Sequence, residues 1–253
     1  MKEDSFTVLG VPVYPARLED TLTFLLEKTS ASISGVGYII FRDVHGVIRC
    51  QDDPAFLNAH KQALRVCPDG MPLVWLGRRK GHKQIERVYG PDLMRGLMKA
   101  TQSGNRTHFL YGGKPGVAEN LQKKLESQFP GVKIVGIQTP PFGPLSLEEI
   151  QALRKKMEQV SPDFFWVGLS TPKQELFMQT YSSQLNTGIM FGVGAAFDYL
   201  SGEVKEPPVW VQRSGFQWLW RIAQEPKRLA GRYFNTVPRF LWLLLKEKVS
   251  QSR

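Results

Sequence analysis

Short apolar runs alternate with amphipathic stretches between about residues 36 and 195. The apolar runs predict six buried strands, over residues 37–41, 64–67, 107–111, 132–137, 164–168 and 188–193. The stretches around them predict helices over residues 17–29, 54–64, 91–100, 115–129, 146–160 and 174–185, and Ser146 with Glu149 predicts a capping box at the start of the fifth helix. Short apolar strands separated by helices indicate βαβ units. The pattern therefore predicts an α/β fold with a parallel-sheet core.

The composition changes after the Ser201-Gly202 and Pro207-Pro208 pairs. Residues 205–253 hold ten of the 33 Lys and Arg residues and three of the 23 Asp and Glu residues, so they carry +7 of the net charge of +10. They also hold four of the six tryptophans. We expect a core over residues 1–204 and a helical, basic, aromatic appendage over 205–253. This asymmetry predicts a polyanionic partner, which could be a nucleic acid, a diphosphate or an anionic membrane surface.

Several protein classes lack support in the sequence. Cys50 and Cys67 are too few for a disulfide framework or a four-cysteine zinc site. The longest purely apolar run, Phe240 to Leu245, is too short to cross a bilayer, and the first residues show no signal sequence, so we expect a cytosolic protein. The chain has no Gly-x-Gly-x-x-Gly, P-loop, Gly-x-Ser-x-Gly or His-Glu-x-x-His motif and no Asp-x-Asp after a strand. No metal site is expected.

Two carboxylates follow predicted strands, where ligands of open α/β sheets bind. Asp43 comes directly after the first strand, beside Arg42. Asp69 lies in the turn Pro68-Asp69-Gly70 after the second strand. A carboxylate at this place can act as a general base, but an Asp-Gly pair can equally serve only to stabilise the turn. From the spacing alone the turn is the better interpretation of Asp69.

Glycine-rich segments follow the later strands. Gly112 and Gly113 precede a predicted helix start at Pro115, a geometry that suits a phosphate or diphosphate but also any tight strand-to-helix turn. Lys173 opens a helix where its charge opposes the helix dipole, so we expect either a ligand contact, a buried pair or a solvated first turn. Asp198 could bind a ribose hydroxyl or cap a helix. The remaining candidates in these segments are Gly168, Gln174, Gly192 and Gly194.

The appendage combines tryptophans with basic residues. This combination suits a membrane interface or a diphosphate pocket, although docked helices that complete the core would look the same. The segment Phe240 to Leu245, with Lys246 and Lys248, is the stretch expected to touch lipid. Each basic residue near an anionic leaflet would contribute about 1 kcal/mol.

Six strings, in order, resemble the WecG/TagA/CpsF family of bacterial glycosyltransferases. The resemblance extends over about residues 5–245, and the C-terminal segment from Trp210 to Pro226 looks like the family's appendage. The strings are Pro-Asp-Gly-Met-Pro-Leu-Val-Trp (68–75), Glu-Arg-Val-Tyr-Gly-Pro-Asp-Leu-Met (86–94), Gly-Gly-Lys-Pro-Gly-Val-Ala-Glu (112–119), Pro-Pro-Phe-Gly-Pro-Leu (140–145), Val-Gly-Leu-Ser-Thr-Pro-Lys-Gln-Glu (167–175) and Gly-Val-Gly-Ala-Ala-Phe-Asp (192–198).

The resemblance implies an inverting, metal-independent transfer on a Rossmann-like core. The donor would be a UDP-sugar and the acceptor a polyprenyl-diphosphate-linked saccharide at the cytoplasmic face of the membrane, for cell-surface polysaccharide synthesis. It assigns the general base to Asp69 and active-site roles to Arg87 and Gln174. It also implies that appendage arginines close over the diphosphate, which nominates Arg213, Arg221 and Arg228. Neither a cofactor nor a nucleic acid is implied, and self-association is left open.

One segment departs from the family pattern. Better-known members carry Thr-x-Asn after the first main strand, where this chain has Phe41-Arg42-Asp43. Arg42 could bind the carboxylate of a uronic acid or pair with Asp43, and Asp43 is a second candidate base. The donor sugar therefore stays open among N-acetylmannosamine, its uronic acid, glucuronic acid and a hexose. The alternative function is a membrane-associated nucleotide-binding or nucleic-acid-binding protein without transferase activity.

Overall fold

A six-stranded parallel sheet forms the centre of the protein. The computed structural model describes residues 5–29 and 35–251. The strands of the sheet are β3 (Gly37–Arg42), β4 (Arg65–Pro68), β5 (Thr107–Gly112), β6 (Lys133–Gln138), β7 (Phe164–Gly168) and β8 (Ile189–Gly192). Their order is β4-β3-β8-β7-β5-β6, and all neighbours pair in parallel. The predicted α/β fold and its six strands are confirmed.

An antiparallel hairpin precedes the sheet and was not predicted. Its strands, β1 (Phe6–Val8) and β2 (Val11–Val13), have three residues each, too few for a clear alternating pattern. The turn consists of Leu9 and Gly10, which both have positive φ angles, of 50° and 76°.

Nine helices precede or connect the strands or follow the last one within residues 5–29 and 35–201. They are α1 (Leu18–Lys28), α2 (Val44–Asp52), α3 (Pro54–Gln62), α4 (Met71–Arg79), α5 (Gly90–Ala100), α6 (Val117–Gln128), α7 (Leu147–Val160), α8 (Lys173–Tyr181) and α9 (Ala196–Ser201). Helices α2, α4 and α9, with nine, nine and six residues, were not predicted from the sequence. Helix α8 ends at Tyr181, four residues before the predicted end at Leu185.

Helix starts follow local capping chemistry. Asp53 accepts a hydrogen bond from the N–H of Phe56 and so caps α3, with Pro54 in the first turn. Ser146 and Glu149 form the expected capping box of α7. These starts were predictable because their signals lie within four residues.

Both faces of the sheet are covered. Neighbouring residues of one strand, such as Ile39 and Ile40 of β3, belong to opposite apolar clusters. Trp166 lies in the first cluster and Phe165 in the second, and both are fully buried. Apolar side chains on both faces are typical of a doubly wound parallel sheet. The carboxyl ends of the strands are therefore the place where ligands can reach it.

Three helices form the C-terminal part: α10 (Val209–Ser214), α11 (Gln217–Gln224) and α12 (Pro226–Gln251). Helix α12 packs against α2 and α11. Within the segment from Phe240 to Leu245 that was expected to touch lipid, Phe240 is 4% exposed and packs among apolar side chains that include Val47, so the expectation is wrong for this residue. Leu241, Trp242 and Leu245 are exposed, and their contact with lipid stays a prediction. Arg239 binds both carboxylate oxygens of Asp52 of α2, at 2.6 and 2.5 Å. Among the described residues, none of the helices has the length and low polarity needed to cross a membrane.

Candidate active site

Two acidic residues lie together at the carboxyl ends of β3 and β4. Asp43 follows β3 directly, and Asp69 follows β4. The N–H groups of Asp69 and Gly70 donate to the carbonyl oxygen of Arg42, at 2.9 and 3.3 Å, which fixes this turn to the end of β3. A Cβ atom at Gly70 would lie 3.4 Å from the Cα atom of Asp43, so the two turns are in van der Waals contact.

Arg87 binds the turn that carries Asp69. Its Nη2 atom lies 3.0 Å from Oδ1 of Asp69, and its Nε atom donates to the carbonyl oxygen of the same residue. The guanidinium lies over the ring of Tyr89, 3.9 Å from the ring centroid. Arg87 reaches this place because the N–H of Val88 donates to the carbonyl oxygen of Pro68 at 2.9 Å, which ties the loop before α5 to the end of β4.

The pKa of Asp69 is raised above its ordinary value. Burial is the largest cause and the charge of Asp43 adds to it, while Arg87 and Arg221 act in the opposite direction. About a quarter of the side chain, 28%, remains exposed. The carboxylate is therefore partly desolvated but accessible, as a general base must be.

Asp43 has a different environment. Its Oδ1 atom accepts a hydrogen bond from the N–H of Gly46 at 2.9 Å and caps α2. Burial would raise its pKa, but the charges of His45 and Arg42 together with the Gly46 hydrogen bond outweigh this effect and lower it. Of the two carboxylates, Asp69 is the better proton acceptor.

Arg42 forms a buried ion pair with Glu175, a residue that the sequence analysis did not select. Its Nη2 atom lies 2.5 Å from Oε1 of Glu175, and the two side chains are 2% and 0% exposed. Thr171 donates to the same oxygen at 2.8 Å. A Cβ atom at Gly46 would lie 1.8 Å from Nη1 of Arg42, so only glycine leaves room for the guanidinium. The alternative in which Arg42 pairs with Asp43 is therefore wrong.

Gln174 lies beneath the end of β8. Its Nε2 atom donates to the carbonyl oxygen of Gly192 at 2.9 Å. Its Oε1 atom is buried and accepts no hydrogen bond from any described residue. A Cβ atom at Gly194 would lie 3.3 Å from that oxygen. The amide nitrogen is therefore bound to the end of β8, while the amide oxygen is buried without a hydrogen-bond partner among the described residues.

The glycines at the ends of β5, β7 and β8 and in the turns that follow allow close packing of the backbone. Gly112 and Gly168 are register partners, and a Cβ atom at Gly112 would lie 2.6 Å from the carbonyl of Gly168. The N–H of Gly113 donates to Gly168 at 3.1 Å, and that of Gly194 to Val167 at 3.4 Å. The N–H group of Gly113 is therefore used within the protein and is not free for the phosphate that the turn was expected to suit. Helix α6 also begins at Val117 rather than at Pro115.

Comparison with known proteins identifies the chain. The profile of the family described as "Glycosyl transferase WecG/TagA/CpsF family" matches residues 6–253. The chain belongs to this family. It is 27% identical, over 183 residues, to a Bacillus subtilis protein named N-acetylglucosaminyldiphosphoundecaprenol N-acetyl-beta-D-mannosaminyltransferase. The match covers 72% of this chain and 69% of that protein.

Membership makes the chain a glycosyltransferase, as the sequence resemblance implied. It decides against the alternative of a membrane-associated nucleotide-binding or nucleic-acid-binding protein without transferase activity. The family match covers both the core and the appendage, because the matched residues include the sheet, the two carboxylates and the three C-terminal helices.

The other candidate residues of this glycosyltransferase are spread over the same edge and the appendage. Arg221, on α11, lies close enough to Asp43 and Asp69 to lower the pKa of each. Lys173 is exposed, with its Nζ atom 4.2 Å from the ring centroid of Phe142. Asp198 is half-buried in the first turn of α9.

Of the two further appendage arginines, the structure describes the side chain of one. Arg213 is exposed in the last turn of α10. The side chain of Arg228 lies outside the described part of the structure. Within the described residues, no three His, Cys, Asp or Glu side chains are grouped so that they could hold a metal ion.

Two glutamines of the appendage contact the site, and neither was selected from the sequence. Gln212 and Gln217 both accept hydrogen bonds from Arg87. Glutamine has no distinctive motif, and its partner here lies 125 or 130 residues earlier in the chain, so no local signal could have found them.

Proposed function

We propose that this glycosyltransferase moves a sugar from a UDP-sugar to a polyprenyl-diphosphate-linked saccharide, with inversion at the anomeric carbon. The accessible Asp69 carboxylate, with its raised pKa and held by Arg87 at the carboxyl edge of the sheet, carries the proposal. Its position matches the base that the family resemblance implied. Asp43, as the cap of α2, supports the neighbouring turn.

In the proposed reaction an acceptor hydroxyl oxygen attacks the anomeric carbon of the donor. Asp69 takes the proton of that hydroxyl, the new glycosidic bond forms, and the bond between the anomeric carbon and the UDP oxygen breaks. UDP leaves with the electron pair of that bond. Because attack and departure occur on opposite faces, the configuration inverts.

We infer that arginines stabilise the departing diphosphate without a metal ion. Arg221 lies near both carboxylates, so its charge is already at the reaction centre. Arg213 and Arg228 are the further candidates. On this proposal the core, residues 1–204, carries the base, and the appendage, residues 205–253, supplies cations.

The donor and acceptor follow most directly from the Bacillus relative, whose name specifies N-acetylmannosamine and an undecaprenol-linked N-acetylglucosamine diphosphate. We propose the same pair for this chain, with the uronic acid of N-acetylmannosamine, glucuronic acid and hexoses as competing donors. Arg42 gives no support to a uronic acid donor, because its guanidinium is buried against Glu175.

A lipid-linked acceptor requires contact with a membrane, and the appendage offers a suitable face. Its exposed apolar side chains are Val209, Trp210, Phe216, Leu219, Phe234, Leu241, Trp242, Leu245 and Val249. Lys246 lies 5.3 Å from the ring centroid of Trp242, which combines a cation with an apolar surface. We propose that the exposed apolar side chains of α12, with Lys246 beside them, rest on the anionic inner leaflet.

The test is a transfer assay with a synthetic N-acetylglucosaminyl-diphosphate lipid. UDP-N-acetylmannosamine, its uronic acid, UDP-glucuronic acid and UDP-glucose are compared as donors, with and without EDTA and vesicles. We expect the first donor to be used, with inversion, at a rate that EDTA leaves unchanged. Calorimetric titration with UDP serves as the control for a competent donor site. UDP binding without transfer from any donor would overturn the proposal.

A further inference from the structure

Arg87 donates two hydrogen bonds to the core and two to the appendage. Its Nε and Nη2 atoms donate to the carbonyl and to Oδ1 of Asp69. Its Nη1 atom donates to Oε1 of Gln212 at 3.0 Å, and Nη2 also donates to Oε1 of Gln217 at 2.6 Å. Four hydrogen bonds in different directions leave the guanidinium little freedom to rotate.

Both glutamine amides are fixed by a second contact. The Nε2 atom of Gln212 donates to the carbonyl oxygen of Pro207 at 2.8 Å, and this residue is 9% exposed. The Nε2 atom of Gln217 lies 3.4 Å from the hydroxyl of Tyr89, whose ring lies under the guanidinium. These contacts direct each amide oxygen, rather than its nitrogen, at Arg87.

We propose that Gln212 and Gln217 are positioning residues: they hold Arg87 against Asp69, so that docking of α10 and α11 completes the catalytic base. The base role itself rests on the proposed function. The deletion of the appendage would thus impair the base as well as remove cations.

The chemistry of the amide fits this task. An amide oxygen accepts from a guanidinium without bringing a charge of its own. A carboxylate at either place would bind Arg87 more strongly and would repel Asp69. The charged groups that shift the pKa of Asp69 are Arg87, Arg221 and Asp43. The Asp69 charge raises the pKa of three neighbours, Cys67, Tyr89 and Tyr199, which are neutral when Asp69 titrates. Gln212 and Gln217 carry no charge, so each acts on Asp69 through its hydrogen bond with Arg87.

The test uses the full chain with Gln217→Glu, and Gln151→Glu as the matched control. Gln151 is exposed on α7, so this variant makes the same charge change away from Arg87. The pKa of Asp69 is measured from the ¹³C shift of labelled aspartate carboxyls, with Asp69→Asn identifying the resonance. We expect Gln217→Glu to raise that pKa by about one unit and Gln151→Glu to leave it unchanged. The acid limb of the kcat/KM profile should move by the same amount.

A second variant removes the acceptors without adding charge. In Gln212→Met/Gln217→Met, we expect kcat to fall about tenfold or more with little change in KM, because a loosened Arg87 affects the base rather than substrate binding. An unchanged Asp69 pKa in Gln217→Glu, together with an unchanged kcat in the double variant, would overturn the proposal. The carboxyl titration needs no substrate, so it still tests this inference if no donor is transferred.

Discussion

Two arginine–carboxylate pairs lie at the same edge of the sheet and differ in their exposure to solvent. The pair of Arg42 and Glu175 is 2% and 0% exposed, whereas Arg87 and Asp69 are 10% and 28% exposed. The first joins β3 to α8 inside the protein. The second lies where a substrate can reach it. Full burial of the first pair is typical of a structural role, whereas partial exposure of the second is what the proposed general base requires.

The energetics of the two pairs differ for the same reason. A buried charge that loses its partner is destabilising because neither water nor another group replaces it. Asp69 is held where its charged form is disfavoured, since its pKa is raised in the folded protein. Perturbed titration of this kind is typical of functional sites.

The largest expected effect is on the buried pair. In Arg42→Met, Glu175 is left without its partner, and we expect the free energy of unfolding to fall by about 3–5 kcal/mol. Denaturant titration measures the loss. The double variant Arg42→Met/Glu175→Leu should recover most of it, because no unpaired charge remains. A loss below about 1 kcal/mol in the single variant would contradict a structural role for the pair.

A smaller effect is expected at Gly46. A Cβ atom there would overlap Nη1 of Arg42, so Gly46→Ala should displace the guanidinium and cost about 1–3 kcal/mol. Gly231, in α12, provides the matched control because a Cβ atom there would meet nothing within 4 Å. Gly231→Ala should stabilise by up to about 1 kcal/mol. Equal effects of the two substitutions in thermal unfolding would argue against the tight packing of Arg42.

The smallest effect concerns Asp52 and Arg239, whose side chains are 55% and 42% exposed. The hydrogen bond from Arg239 lowers the pKa of Asp52. This pair therefore adds stability above the unfolded-state pKa of about 4, and the contribution is lost as the pH falls through the lower folded-state pKa. Asp52→Asn should cost less than about 1 kcal/mol at pH 7, and less still in 1 M salt. Thermal unfolding at both salt concentrations measures this, and a salt-independent loss would contradict it.

The sequence was sufficient for the sheet but not for the contacts that build the site. Apolar runs and the Ser146 capping box are local signals, and they predicted the strands and the start of α7. Asp69 could be placed at a strand end, although its pairing with Arg87 could not be read from spacing. Glu175 pairs with a residue 133 positions away, and such a contact has no periodic pattern.

The family resemblance predicted site residues that the hydrophobic periodicity could not predict. It nominated Arg87 and Arg221, which the structure places near Asp69. It could not indicate Gln212 and Gln217, because their role depends on how the appendage docks. The contacts between distant segments are therefore the part of this site that only the folded protein reveals.

We propose that Asp69 serves the chemistry, whereas Arg42 serves the fold. The most direct test measures the transfer rate and the free energy of unfolding of Asp69→Asn in parallel with the unaltered protein. Because the pKa of Asp69 is raised in the folded protein, its charge lowers stability at neutral pH. The free energy of unfolding of the variant should therefore lie within about 1 kcal/mol of the parent value or above it. We predict transfer that is about 10²- to 10⁴-fold slower, with UDP binding retained. Transfer within a few-fold of the unaltered rate would contradict the claim and move the base elsewhere.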